Sequence, residues 1–463
     1  MPASLLRKVS SKPLALARGL FFLEKYSCFI ALVSFFMYNY LMEKINILGV
    51  NITDITKAQV LNKIREFLTG RKQYSIVTPN PEIILGATTE DEEAYYILNH
   101  ADISLADGIA LKFAGWFYGK NIERITGADL TLEILKLAQA EKKKVAIFNW
   151  SRGLSTAAEI KQALADKFPG LDVFVQDIER ETVVDFTAVQ LRDNSSVSSK
   201  EQIKSPPPPL LKGVNDFAPD IIFCALGFPY QEKFIYYNLA KIPSARLGLS
   251  VGGSFDYLTG KAVRAPKWLR GLGLEWFWRL MKQPKRWRRI YRATVVFIFR
   301  FFKFFFILRW FYRPNVSCLL FKRENGNYKI LIVERVGERE HWQLPQGGTD
   351  GESLLIAGAR ELKEELNTMN FKPVAVYKNL FQYKFSRYLD RYGRPIKNQR
   401  GYKGQKQGLF IGEFLGDDSE IKVNFWEHAG WRWTPAEKLV ESVHPNRQEA
   451  TTIFLKKFWE TVN

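Results

Sequence analysis

The sequence predicts an α/β protein with two units in series: a Rossmann-like, doubly wound parallel sheet followed by a second, smaller α/β unit. Three observations carry this prediction. Apolar strand-like runs alternate with amphipathic helical runs over the first 290 or so residues, the pattern of a parallel sheet covered on both faces. A stretch crowded with cations and aromatic rings, Gly252–Arg313, then interrupts the pattern. Beyond it the chain reads as two long strands joined by a tight turn and followed by one strongly periodic helix. A chain of 463 residues has room for two or three such units, and 46% hydrophobic content is enough to fill their cores.

Residues 1–41 form an apolar extension. Arg7, Lys8, Lys12 and Arg18 precede an apolar run from Tyr26 to Leu41 that is short for a membrane span. The run fits an anchor with its positive flank inside, a signal-like segment without an obvious cleavage site, or a stretch upstream of a natural start at Met42. Cys28, Cys224 and Cys318 are far apart and lack CxxC spacing. Neither a disulfide framework nor a structural zinc site is expected, and a reducing cytoplasm fits.

Residues 42–292 make the first domain. YSIVTPN, ADISLADG, KVAIFNW, PDIIFCALG and RLGLSVGG read as buried parallel strands, with helices such as Lys57–Leu68, Thr131–Ala140 and Leu154–Phe168 between them. Ligands of such sheets bind at the carboxyl ends of the strands. The candidates are therefore the polar and glycine residues just past those ends: Thr78, Asn80 and Glu82; Asp107 and Gly108; Thr126, Gly127 and Asp129; Gly227, Gln231 and Glu232; Gly252 and Gly253. Glycines there let backbone N–H groups approach a phosphate. The segment Glu179–Val214, with its Ser and Lys content and its Pro206–Pro209 run, reads as a flexible or polyproline loop where a short connection is expected.

Within Gly252–Arg313, 15 basic residues face only Asp256 and Glu275, leaving about +13 of the chain's formal +19. The excess is local, so it points to a specific anionic partner. Interleaved Trp, Phe and Tyr suit a membrane interface, where rings sit at headgroup depth beside lipid phosphates, and they also suit nucleic acid. Residues 293–313 read as a basic aromatic membrane-interface segment; within it Thr294–Phe311 is intensely apolar, yet Arg300 and Lys303 sit in its middle. Charges there are costly in hydrocarbon, so a helix lying in the interface is expected rather than one that spans.

In order, TPNPE, LADGIA, RITGADL, GFPYQEK, VGGSFDYLTGKAVRAP and GLEWFWRL resemble the WecG/TagA/CpsF glycosyltransferases, over nearly all of residues 42–292. The resemblance implies transfer of an N-acetylmannosamine-type sugar from a UDP-sugar to a polyprenyl-diphosphate-linked amino sugar, at the cytoplasmic face of the cell membrane. It implies Asp107 as general base on the acceptor hydroxyl. Thr78 and Asn80 would lie in the pocket, Gln231 and Glu232 near the nucleotide sugar, and Arg264, Arg286 and Arg289 against diphosphate charge. The chemistry agrees, because an acceptor proton must be removed and a departing diphosphate stabilised. This half has no DxD motif, so no metal is expected in it.

Residues 314–463 make the last domain. NVSCLLFKRENGNYKILIVERV reads as a hairpin turning at Glu324–Asn327. From Ser353 a helix follows, with Leu355, Ala359, Leu362 and Leu366 as its apolar stripe. Glu361, Glu364 and Glu365 share one face of that helix. Carboxylates packed this closely suit a hard ion, Mg2+ or Mn2+, or else form a solvated acidic face.

Glu352, Arg360-Glu361-Leu362 and Glu364-Glu365 resemble the Nudix box. The loop from Gly347 to Glu352 is one residue shorter than usual, and Asn367-Thr368 replaces the terminal pair of Gly and a bulky aliphatic residue. Asn tolerates the left-handed conformation required there. WQLPQGG, GQKQGLFIGEF and EHAGWRWTPAEKLVE resemble the bacterial RNA pyrophosphohydrolase and dinucleoside polyphosphate hydrolase branch. The resemblance implies a Nudix α/β/α sandwich. Glu361, Glu364, Glu365 and Glu427 would hold metal and activate water, and Arg360 would brace the box. Lys406, with Arg400 and Lys403, would meet phosphates of a nucleotide or an RNA 5′ end. His341, His428 and His444 look incidental by spacing. The sequence therefore reads as a bifunctional enzyme. The alternative is an RNA-binding pyrophosphohydrolase whose first half is a degenerate scaffold.

Overall fold

The computed structural model describes residues 43–181, 183, 209–385 and 401–462. The expected N-terminal extension, most of the Ser- and Pro-rich loop, Cys28 and Arg400 lie outside these residues.

A two-stranded hairpin, β1 (Lys44–Ile47) and β2 (Val50–Thr53), leads into a six-stranded sheet. Its strands are β3 (Tyr74–Val77), β4 (Ile103–Ser104), β5 (Val145–Trp150), β6 (Val173–Ile178), β7 (Ile221–Ala225) and β8 (Leu247–Ser250), in the order β4-β3-β8-β7-β5-β6. Every pairing is parallel. Alternate residues feed opposite faces. Val145, Ile147, Ile221 and Phe223 pack under the helices Lys57–Thr69, Gly127–Ala140 and Ala157–Lys167. Ala146, Phe148, Ile222 and Cys224 face the other side, with Phe234 of the helix Tyr230–Asn238. The five expected strands are all present. The sequence reading missed β6, because VFVQDI carries Gln176 and Asp177 and is mostly half-buried at the sheet edge.

A nearly continuous helical segment, Trp287–Trp310, follows the sheet. Phe297 and Phe301 are only 1% and 3% exposed and join the core beside the helix Pro81–Thr89. The opposite side leaves Ile298, Phe299, Phe302, Phe306 and Trp310 in the open, next to Phe113, Trp116 and Phe117 of the helix Ile109–Phe117. No helix among the described residues is long and apolar enough to cross a membrane.

The second sheet begins at once with β9 (Tyr312–Glu324) and β10 (Asn327–Arg335). Asn325 and Gly326 both take positive φ in the tight turn between them, as the Asn-Gly pair requires. β11 (Trp342–Gln343), β12 (Gln346–Gly348), β13 (Phe371–Lys384), β14 (Gly404–Phe414) and β15 (His428–Pro435) complete seven strands, with β14 parallel to β9. The helix Leu354–Leu366 covers one face, over Val316, Cys318, Leu320 and Phe410. The helix Pro445–Val462 covers the other, over Leu319, Phe321, Leu409 and Ile411. This is the α/β/α sandwich. Cys224 and Cys318 are buried free thiols.

The apolar stripe of the helix Leu354–Leu366 matches the expected one at Leu362 and Leu366 and departs from it at Leu355 and Ala359. Leu355 is 47% exposed, and the buried face is Ala357, Gly358, Glu361, Leu362, Glu365 and Leu366. Two glutamates thus point inward among the apolar residues, which displaced the simple i, i+4 reading. The helix ends at Asn367 with φ 54° and ψ 24°, the left-handed cap expected of Asn there.

Candidate active sites of the two domains

At the carboxyl ends of the first sheet, four loops converge. Thr78, just after β3, is buried and donates to the Ser250 carbonyl at 3.2 Å. A Cβ on Gly127 would sit 3.0 Å from the Thr78 hydroxyl, a tight contact that the missing side chain relieves where the Gly127–Ala140 helix starts. Asp107 follows β4, and the Gly127 N–H donates to its carboxylate at 3.3 Å. Gly108, at φ 138°, turns the chain away from it, a conformation that favours glycine.

Burial pushes the Asp107 carboxyl up to about 6, against the pull of Arg279, the Gly127 N–H and Arg124. Arg279 bonds Glu275 at 3.1 Å and also the Tyr257 hydroxyl. Sequence reasoning left Arg279 as one of the 15 cations of Gly252–Arg313. The usable signal was Glu275 and Arg279 at i, i+4 in GLEWFWRL.

The remaining expected residues divide by what they touch. The Asn80 side chain caps the helix Pro81–Thr89 through the Ile83 N–H at 3.0 Å. Gln231 is buried and latches two glycine loops, accepting from Gly252 N–H at 2.8 Å and Gly227 N–H at 3.3 Å. It donates to Glu232 at 2.7 Å, and burial pushes the Glu232 carboxyl up to about 7. Gly253 starts the short helix Ser254–Leu258. Arg264 pairs with Asp129 at 2.6 Å and Thr126 at 3.2 Å; burial opposes the charge on Asp129, but these bonds hold it down near 2. Arg289 grips Glu82 through two nitrogens at 2.7 and 3.0 Å. Arg286 makes no ion pair among the described residues, and burial, Arg289 and Arg279 disfavour its charge, the condition of a cation awaiting an anion.

In the second sheet, Glu365 is buried and accepts from the Gln346 N–H at 3.2 Å. His428, the first residue of β15, brings its Nε2 to 3.0 Å from the Glu365 carboxylate. One donor atom each from Glu365, Glu427 and His428 falls within 4.8 Å of the others. His428, set aside by spacing, therefore belongs to the cluster; only the fold could bring a strand residue to the helix. Arg360 binds Glu361 and Glu364 at 2.8 Å each, Glu352 at 2.9 Å and the Gly348 carbonyl at 2.7 Å. A Cβ on Gly347 would meet the Glu361 carboxylate at 1.9–2.1 Å, so any side chain there would displace that carboxylate from its place beside Arg360.

Burial and Glu365 push the Glu361 carboxyl up to about 8. Burial, Glu365 and Glu92 do the same for Glu427, also to about 8. Acids crowded and raised in this way have an electrostatic deficit that a divalent cation would relieve, so the donor set fits Mg2+ or Mn2+. Burial pushes His428 down to about 4, leaving it the neutral form able to ligate. Glu364 faces outward with Arg360, and Lys406 is exposed with no side-chain contact to the cluster among the described residues.

Residues 45–309 match the model of the glycosyl transferase WecG/TagA/CpsF family, more than half of the chain. The chain belongs to that family. Residues 311–455 match the NUDIX domain, so a Nudix hydrolase domain follows the transferase. The transferase match extends through the aromatic helical segment and ends beside β9. One relative is N-acetylglucosaminyldiphosphoundecaprenol N-acetyl-beta-D-mannosaminyltransferase of Bacillus subtilis (strain 168), 29% identical over 216 residues, covering 46% of this chain and 74% of the relative. The protein of the same name from Staphylococcus aureus (strain MRSA252) is 30% identical over 266 residues, covering 56% and 91%. Among solved structures, a C. elegans Ap4A hydrolase binary complex aligns with TM-score 0.25 and 16% identity, over 32% of this chain and 98% of that one. The E. coli dihydroneopterin triphosphate pyrophosphohydrolase aligns with TM-score 0.24 and 16% identity, over 32% and 98%.

Proposed function

We propose that the chain is a bifunctional enzyme. Its first half moves an N-acetylmannosamine-type sugar from a UDP-sugar to a polyprenyl-diphosphate-linked amino sugar in cell-surface polysaccharide synthesis. Its second half hydrolyses a nucleoside diphosphate-linked substrate, a dinucleoside polyphosphate or a 5′-triphosphate RNA. The observation that carries the transferase reading is the desolvated Asp107 carboxylate beside Arg279, at the strand ends where Arg286 is also free for a diphosphate.

Asp107 takes the proton of the acceptor hydroxyl as that oxygen bonds to the anomeric carbon. The bond from that carbon to the UDP oxygen breaks, and Arg279 and Arg286 stabilise the departing diphosphate. The exposed ridge of Phe113, Trp116, Phe299 and Trp310, set among Arg288, Arg292 and Arg300, supports docking on the inner face of the membrane, where anionic lipids and the acceptor lie. In the second half a bound Mg2+ or Mn2+ would neutralise phosphate charge and acidify water. Gln346 and Asn424 orient Glu365 and Glu427, and Arg360 braces Glu361.

The test is a donor screen of UDP-N-acetylhexosamines with a polyprenyl-diphosphate amino-sugar acceptor, run beside a panel of UDP, UDP-sugars, dinucleoside polyphosphates and 5′-triphosphate RNA. Full-length wild type is compared with Asp107→Asn and Glu365→Gln. Each variant should silence one activity and spare the other. Sugar transfer undiminished in Asp107→Asn sinks the transferase assignment.

A further inference from the structure

The loop carrying Glu427 does not stand on the Nudix domain alone. Phe425 leaves that domain and seats against three tyrosines of the transferase: Tyr236 at 5.9 Å in a stacked arrangement, Tyr237 at 5.8 Å and Tyr96 at 6.3 Å, both edge-on. Ring pairs at these separations are favourable beyond their buried area. The socket is braced from below. Lys233 bridges Asp91 at 2.9 Å and Glu93 at 2.7 Å, and Tyr237 also donates to Glu93. These bonds tie the helix Glu92–His100 to the helix Tyr230–Asn238, so the tyrosines hold their spacing.

On the other side of the ring, the chain is short and tightly bonded. Asn424 donates to the Glu364 carbonyl at 3.1 Å and to the Glu427 carboxylate at 3.2 Å. Its own carbonyl accepts from the His428 N–H at 3.0 Å. Phe425 is thus one residue from the group that orients Glu427 and three from His428. Glu92, at the start of the same transferase helix, adds negative charge that Glu364, Glu365 and Glu427 all feel.

We propose that the transferase domain positions the metal-binding loop of the Nudix domain, with Phe425 as the positioning residue and Tyr96, Tyr236 and Tyr237 as its socket. The two halves are then one functional body: the hydrolase centre takes its working shape only while docked. The proposal rests on the reading of Glu365, Glu427 and His428 as a divalent-cation site.

The test uses the full-length chain and Mn2+ alone, with free Mn2+ measured by electron paramagnetic resonance and amide exchange followed across residues 423–428. Tyr236→Ala lies outside the Nudix domain, and Phe425→Ala removes the ring. Both should weaken Mn2+ binding about ten-fold, the usual cost of losing support behind a metal ligand. Both should speed exchange in the loop, and Phe425→Tyr should restore wild-type values. Where the wild type binds more Mn2+ than Glu365→Gln, unchanged Mn2+ affinity in both alanine variants overturns the proposal, whatever the exchange shows. Should the wild type bind no more Mn2+ than Glu365→Gln, the metal reading fails separately; loop exchange then decides the clasp, and unaltered exchange removes it.

Discussion

Asp107 combines two demands that oppose each other. A general base must be ionised, yet a carboxyl enclosed by protein resists ionisation, and here burial lifts it to about 6. Transferase kcat/KM should therefore fall about ten-fold per pH unit below about 6, and Asp107→Asn should lose roughly 10²–10⁴-fold in kcat above that pH, the deficit shrinking below it as the wild-type base is itself protonated. The same lift costs stability. An unfolded carboxyl titrates near 3.8, so between there and about 6 the folded chain holds a proton that the unfolded one has released. Stability drops as pH rises through that window and stays lowered above it. Asp107→Asn should accordingly keep or raise the melting temperature at pH 8, separating lost chemistry from lost folding in a calorimetric scan. Gly347 supplies a steric counterpart. Gly347→Ala would drive a methyl group into the Glu361 carboxylate, and Mn2+-dependent hydrolysis should fall at least about ten-fold, a loss of support for a metal ligand.

At the scale of elements, the Trp287–Trp310 segment has two faces with separate jobs. Phe301 is buried, so Phe301→Ala should destabilise the transferase by about 3–5 kcal/mol in denaturant titration. Phe299 and Trp310 are in the open, so Phe299→Glu with Trp310→Glu should leave that midpoint unchanged and abolish flotation with anionic liposomes. The sequence made the segment's amphipathic, cation-rich character plain. It could not show that Phe297 and Phe301 anchor it, because nearly every position is aromatic or aliphatic and periodicity carries no contrast. The parallel strands were legible for the opposite reason, since apolar runs ending in Gly or Asp stand out against the helices. β6 was lost because an edge strand with Gln176 and Asp177 lacks that contrast. Motif spacing revealed the box glutamates, whereas Arg279 and His428 reach their sites through tertiary approach, which spacing does not encode.

For the molecule as a whole, the charge asymmetry sets how it meets its surroundings. Most of the +19 lies in one stretch, so attachment to anionic vesicles should weaken steeply between 50 and 500 mM salt, as screening shortens the reach of those cations to about 3–5 Å. The apolar ridge should retain a residual fraction that the double glutamate variant loses. The division into a parallel-sheet domain and a mixed-sheet domain was legible from pattern and motif. Their contact was not, because Phe425 and the tyrosines it meets are ordinary aromatics in sequence, 188 to 329 positions apart.

The helical segment closes at Trp310 and β9 opens at Tyr312, with the Lys403 N–H bonded to the Phe311 carbonyl across the seam. A seam this short offers a protease no slack strand to thread into its cleft. Limited trypsin digestion should therefore spare the joint itself, and any attempt to split the gene there would leave each fragment with a raw, greasy stump.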